Sequence, residues 1–245
     1  MTVASDVLQE LAPKGVVRAA INFGNPVLAQ RNPDDGSPQG VSADLAHELA
    51  NRLGMKIEFV TFEGAGKVFA VTREDVWDLA FLAVDPIRSE EIAFTSPYVV
   101  IEGTYIVRDD SPLREQSQFD QSEVRIAVGK GAAYDLFLTR HLEHAQLERA
   151  DTSVAALELF VEADLEAAAG VRQPLADFAA THPGYRVIDG RFTSINQAMA
   201  TVGGRRAGQQ YLEDFVEEMK ASGFVQAALE KSGQTGASVA PPADK

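Results

Sequence analysis

GVSADLAHELANRLG (residues 40–54) runs straight into MKIEFVTF (55–62), and the pairing of these two segments decides the class of fold. Leu45, Ala46, Leu49 and Leu53 recur along one helical face, Ser42 is placed to cap the helix, and Gly54 follows its last turn. KIEFVTF (56–62) then reads as a strand. Upstream, VVRAAIN (16–22) is a short buried strand ending at the loop Phe23-Gly24-Asn25-Pro26, and NPDDGSP (32–38) is dense in turn formers. Downstream, a second helical stretch leads to WDLAFLAV (77–84), a continuous apolar strand. Strands that alternate with helices predict a parallel sheet with crossover connections.

The pattern restarts after SPLREQSQFDQSE (111–123), a polar, loop-like break. VRIAVGKG (124–131) is a strand entering a glycine turn, and a helix follows from about Ala132 to His144. Residues 153–163 form another helix, LEAAAGV (165–171) a small-residue strand, and PLADFAATHP a helix broken by Pro183. YLEDFVEEMKASGFVQAALEKSG (211–233) gives two helices punctuated by Gly223, and the tail from Gly236 is expected to be disordered. Two β-α-β halves predict an α/β protein of two lobes with a cleft between them. In open α/β sheets the ligand binds beyond the carboxyl ends of the strands, so the informative residues should follow those strands.

Composition narrows the classes of function. The 245 residues are 45% hydrophobic, enough for one large or two small cores. A formal net charge of −14 repels phosphate backbones, so no nucleic-acid partner is expected. The absence of cysteine excludes disulfides, thiolate metal sites and cysteine nucleophiles. No apolar run approaches the ~20 residues of a membrane span. MTVASDVLQELAPKG carries Asp6 and Glu10 and lacks a basic-then-apolar leader, so the chain either begins after a removed signal or stays in the cytoplasm.

Four segments, in order along the chain, resemble the bacterial extracellular solute-binding family that serves polar amino-acid ABC transporters. They are GVSADLAHELANRLG (40–54), WDLAFLAVDPIRSEEIAFTSPY (77–98), VRIAVGKGAAYDLFL (124–138) and SINQAMA (194–200). The resemblance implies the type II periplasmic binding-protein fold, two α/β lobes joined by two crossover strands near residues 102–108 and 190–198. Residues 1–104 and 195–245 would form one lobe and 105–194 the other. It also implies a monomer in the periplasm that binds a small carboxylate ligand (an amino acid or organic acid), without a cofactor, for the membrane subunits of an ABC transporter.

On that resemblance Arg88 matches the arginine that clamps the ligand carboxylate, chemistry that suits a planar guanidinium fork. The competing reading is a surface arginine paired with Glu90 or Glu91. Asp85, close to Ala83 at the same strand end, fits three roles: binding a ligand ammonium, orienting Arg88, or capping the turn at Pro86. Gly131, Ala132 and Ala133 lie where amide N–H groups at a helix start can receive an anion, with Ala132 replacing the family's usual threonine. Tyr134 either compensates or packs in the core. Amino-acid binders of the family place an aspartate after the LEAAAGV strand, whereas this chain has Arg172 and Gln173. A cation there would welcome a second carboxylate, unless Arg172 points to solvent. Glu102 interrupts the apolar run YVVIEGTYIV and could pair with Arg88, Arg172 or a ligand cation. Phe23 and Asn25 could wall the pocket, and Asn196 and Gln197 are weaker candidates.

Other chemistry fits less well. His141 and His144, at i and i+3 on the expected helix, lack completing carboxylates, so no metal is expected. Gly129-Lys130-Gly131 is not a P-loop, and no G-x-S-x-G elbow occurs. Glu90-Glu91 and Glu217-Glu218 read as solvated helix faces. A transporter-associated binding protein is the leading function. A dehydratase acting on cyclic carboxylic acids on the same scaffold, with Glu102 or Asp85 as acid or base, and a cytoplasmic sensor are the alternatives.

Overall fold

The computed structural model describes residues 3–243. It opens with α1 (Ser5–Leu11), β1 (Val16–Asn22), the short strands β2 (Gln30–Arg31) and β3 (Pro38–Gln39), α2 (Val41–Leu53), β4 (Lys56–Phe62), α3 (Ala65–Ala70) and β5 (Leu79–Ala83). The long strand β6 (Ile92–Arg108) leads into β7 (Arg125–Gly129), α4 (Ala133–His141), β8 (Gln146–Ala150), α5 (Ser153–Glu162), β9 (Ala167–Val171), α6 (Arg172–Thr181) and β10 (Tyr185–Val187). β11 (Thr193–Val202), α7 (Arg206–Ala221), α8 (Phe224–Lys231) and β12 (Ser238–Val239) follow.

These elements make two compact units. One holds the residues up to 63, residues 67–100 and those from 196 on; the other holds 64–66 and 101–195. The chain leaves the first unit within β6 and returns within β11.

In the first unit β1 is central and parallel to β4 along its whole length, from Val16 opposite Lys56 to Asn22 opposite Phe62. On its other side it runs parallel to β5, with Ala20 opposite Ala80, and β11 adds antiparallel to β5. Every residue of β5 is buried, which is why it reads as an unbroken apolar run rather than an alternating one. Leu45, Ala46, Leu49 and Leu53 of α2 are buried as their helical spacing predicts, and Gly54 ends the helix in the left-handed conformation at φ 65°. In the second unit β7 lies parallel to both β8 and β9, and β6 pairs antiparallel with β9 and β10. Its core gathers Ile106, Ala127, Ala156, Phe160, Leu165, Ala168 and Leu175.

Several local expectations are corrected. Ser42 does not cap α2: the helix begins at Val41, and buried Ser42 meets the Tyr98 hydroxyl at 3.2 Å. Gly40 takes the cap position at φ 102°, where a Cβ would lie 2.8 Å from the Leu28 carbonyl, so a tertiary approach sets the helix start. The helix expected to reach His144 stops at His141, because Asp120 accepts the N–H groups of Glu143, His144 and Ala145 and turns the chain there. The two histidines therefore do not share a helix face.

The segment after Gly236 is ordered as far as it is described. β12 pairs antiparallel with Val99 and Val100 of β6, Ala240 is buried, and Lys220 Nζ donates to the Pro241 carbonyl at 2.9 Å. The paired acids are not merely solvated: Glu218 receives a two-pronged bond from Arg52 at 2.7 and 2.9 Å, and Glu91 pairs with Arg73 at 2.9 Å.

Candidate functional site

The carboxyl ends of β1 and β5 carry the first group of candidates. β5 ends at Ala83, and the Val84 N–H donates to the Asn196 carbonyl at 2.8 Å. Asp85 closes the turn that follows: its Oδ1 accepts from the Ile87 N–H at 3.0 Å, and its carbonyl accepts from the N–H and hydroxyl of Ser89. That turn carries Arg88 inward. Its side chain is 1% exposed and donates to the Ala83 carbonyl at 3.0 Å, while Glu91, one of its possible surface partners, bonds Arg73 instead.

Burial pushes the Arg88 guanidinium down to about 10, with the nearby negative charge of Asp85 opposing the shift. It stays cationic at neutral pH. A cation removed from water is costly to a fold unless an anion compensates it, and such groups concentrate at functional sites. Asp85 thus closes the turn after Ala83, and its negative charge opposes the downward shift of Arg88.

Phe23 is half-buried just beyond β1, and the Arg31 guanidinium sits over its ring at 4.0 Å from the centroid, itself paired with Glu63. One ring face is therefore occupied from within the chain. Asn25 is 8% exposed. Its carbonyl accepts from Leu28 and Ala29, but its side-chain Oδ1 meets no donor among the described residues.

The second unit holds the remaining candidates. At the glycine turn most donors are committed. Lys130 N–H goes to the Ala150 carbonyl, Gly131 N–H to Asp135 Oδ2 at 2.8 Å, and Ala132 N–H back to the Gly129 carbonyl at 3.0 Å. Ala133 is the first residue of α4. Tyr134 is buried; its hydroxyl accepts from the Gly129 N–H and donates to Ser153 Oγ at 2.9 Å, so it closes this turn from inside the core.

Glu102 and Arg172 are brought together. Arg172 Nε donates to Glu102 Oε2 at 2.7 Å, and Arg191 donates to Oε1 at 2.8 Å. These bonds, that from Arg172 first, hold the Glu102 carboxyl below its ordinary value. Arg172 also reaches the carbonyls of Ile188 and Gly190, so it is anchored rather than pointing freely to solvent. Two cations on one carboxylate leave the cluster net positive. Gln173, the next residue of α6, bonds Asp177 one turn along.

Two features escaped the sequence reading. Arg191, the second partner of Glu102, lies in a loop with no pattern around it. Buried Asp78, just before β5, joins Arg18 of β1 and Arg205, and so ties together the strands that carry Asn25 and Arg88. A signal existed for this: Arg18 and Asp78 each interrupt or border an apolar strand, where a charge persists only if paired.

Known proteins agree with this architecture. The amino-acid-binding protein AabA of Dichelobacter nodosus is 24% identical over 230 residues, covering 88% of this chain and 87% of the relative. The solute receptor for L-cysteine of Neisseria gonorrhoeae superposes with a TM-score of 0.80 at 23% identity, covering 94% of this chain and 93% of that one. The ancestral amino-acid-binding protein AncCDT-1, a precursor of cyclohexadienyl dehydratase, superposes at 0.77 with 21% identity, covering 91% and 98%. These structures establish the two-lobed type II periplasmic binding-protein fold. Residues 18–235 match a family profile over most of the chain, and the protein belongs to the bacterial extracellular solute-binding proteins, family 3.

Proposed function

We propose that this protein captures a free amino acid, or a closely related small carboxylate, outside the cytoplasmic membrane and delivers it to the membrane subunits of an ABC transporter. Residues 1–104 and 195–245 would act as one lobe and 105–194 as the other. The observation that carries this reading is Arg88: a buried, cationic guanidinium at a strand end, held by the Ala83 carbonyl and faced by the charge of Asp85. A fork of that kind receives a carboxylate through two parallel charge-assisted bonds. Phe23, Asn25, Ala83 and Asp85 are the accompanying ligand candidates in the first unit. In the second unit the candidates are Glu102, Gly131, Ala132, Ala133, Arg172 and Gln173. The similarity to the amino-acid-binding protein AabA supports the ligand class.

A dehydratase would need a free acid or base. Glu102 is held ionised between two arginines, and Asp85 is bonded to the Ile87 N–H, so neither residue favours that reading.

The test is isothermal titration of the wild type and of Arg88→Ala with the common L-amino acids, dicarboxylates and 2-hydroxy acids. Removing a buried charge partner costs about 2–5 kcal/mol, and 1.4 kcal/mol is tenfold in affinity, so the variant should bind at least about 30-fold more weakly. Circular dichroism checks that it folds. A ligand bound equally by both proteins would refute the clamp.

A further inference from the structure

Asn25 poses a physical question that the carboxylate clamp does not answer. Its side-chain oxygen is shielded from solvent and meets no donor among the described residues. A buried acceptor left in that condition costs about 1–3 kcal/mol. The backbone around it is fixed, since the Asn25 carbonyl holds the N–H groups of Leu28 and Ala29.

The position in the fold matters as much. β1 and β5 are adjacent and parallel, with Ala20 opposite Ala80. The chain beyond Asn22 and the chain beyond Ala83 therefore leave the same edge of the sheet as neighbouring loops. One carries Asn25; the other carries Asp85 and Arg88. In an α-amino acid the ammonium sits two bonds from the carboxyl carbon. A ligand whose carboxylate is taken at Arg88 would thus present N–H donors beside its clamped end.

The carboxylate on the Arg88 loop is already in use: Asp85 Oδ1 accepts the Ile87 N–H, and its charge acts on Arg88. We infer that Asn25 Oδ1 is the acceptor that reads the ligand's α-ammonium, which makes the protein selective for α-amino acids over the same acids without the amine. This inference rests on Arg88 being the carboxylate clamp. Shielding from water strengthens the bond, and its cationic donor makes it stronger than one between neutral groups.

Matched pairs that differ only in the α-amine test it: L-glutamate with glutarate, L-cysteine with 3-mercaptopropionate, and L-arginine with 5-guanidinopentanoate. Titration calorimetry on the full chain gives the ratio of dissociation constants for each pair, in the wild type, Asn25→Leu, Asn25→Asp and Arg88→Lys. The wild type should favour the amine-bearing partner of its bound pair by at least about tenfold, the discrimination expected when one charged hydrogen bond is withheld. Asn25→Leu should bring that ratio close to one. Asn25→Asp, which keeps the acceptor and adds charge, should raise the ratio, and it decides the matter if Asn25→Leu does not fold. A ratio unchanged in both Asn25 variants, with binding still weakened by Arg88→Lys, overturns the role of Asn25 and leaves the clamp standing. Binding indifferent to Arg88→Lys, or none by any of the twenty common L-amino acids, overturns both.

Discussion

Asp78→Ala should be the most destabilising single change among the ion pairs of the first unit. The Asp78 side chain is 0% exposed. Its Oδ2 accepts from Arg18 Nε at 2.8 Å, and its Oδ1 accepts from Arg18 at 2.8 Å and Arg205 at 3.0 Å. The Arg18 side chain is itself only 7% exposed, and its guanidinium is held above the ordinary arginine value chiefly by the Asp78 hydrogen bond. Truncation leaves a nearly buried guanidinium with only the exposed carboxylate of Asp75 as its anion, and losing a buried partner typically costs about 3–5 kcal/mol. With a urea m-value of about 3 kcal/mol/M for a chain of this size, the midpoint should fall by roughly 1 to 1.7 M.

Trp77 is the sole tryptophan, is 1% exposed and donates to the Val68 carbonyl at 3.1 Å, so its fluorescence reports unfolding of the same unit. Asp75 is the internal control. It pairs with the same Arg18 and with Lys14, but its side chain is 60% exposed, and Asp75→Ala should move the midpoint far less because water screens that pair. Replacing both members of the buried pair, Arg18→Met with Asp78→Leu, should recover most of the loss, since it removes the stranded charge rather than creating one. Equal midpoint shifts for Asp78→Ala and Asp75→Ala would refute the argument from burial.

Two further outcomes follow from the geometry. The Glu102 carboxyl is held below 4.5 in the folded chain by Arg172 and Arg191, so the unfolded chain binds more protons in that range. The stability this confers is complete above that value and is lost as the pH falls through the folded pKa. Melting temperatures taken from pH 7 down to pH 3 should therefore fall less steeply for Glu102→Gln than for the wild type, and identical slopes would count against the ion pair. Ending the chain after Gln234 removes β12, buried Ala240 and the bond from Lys220 to Pro241. The truncated protein should melt at a lower temperature and exchange the amide of Val100 faster; unchanged exchange would mean that the strand contributes no protection.

The elements legible in the sequence were those whose burial has a period. α2 shows one apolar face, and β1 and β5 read as apolar runs because they are covered on both sides. β8, QLERA, could not be read this way: none of its five residues is buried, and among the described residues its only strand partner is β7, so an edge position imposes no apolar pattern. The tail after Gly236, rich in alanine and proline, likewise carries no strand signal of its own. It is ordered through the backbone groups of Val99 and Val100.

Of the site, the sequence by itself determined which residue types stand at the strand ends, because strand, turn and helix are each specified by near neighbours in the chain. It placed Arg88 after an apolar strand, Asp85 at the turn and Asn25 in the first loop. Only the tertiary structure decided what those groups meet. Whether Arg88 lay on the surface or inside, and whether Glu102 stood alone or between two arginines 70 and 89 residues away, depended on contacts that no local pattern encodes. The same holds for Arg18 and Asp78, 60 residues apart. The physical reason is that periodicity records which face is buried, while the cost or gain of a charge there depends on the partner that folding brings to it.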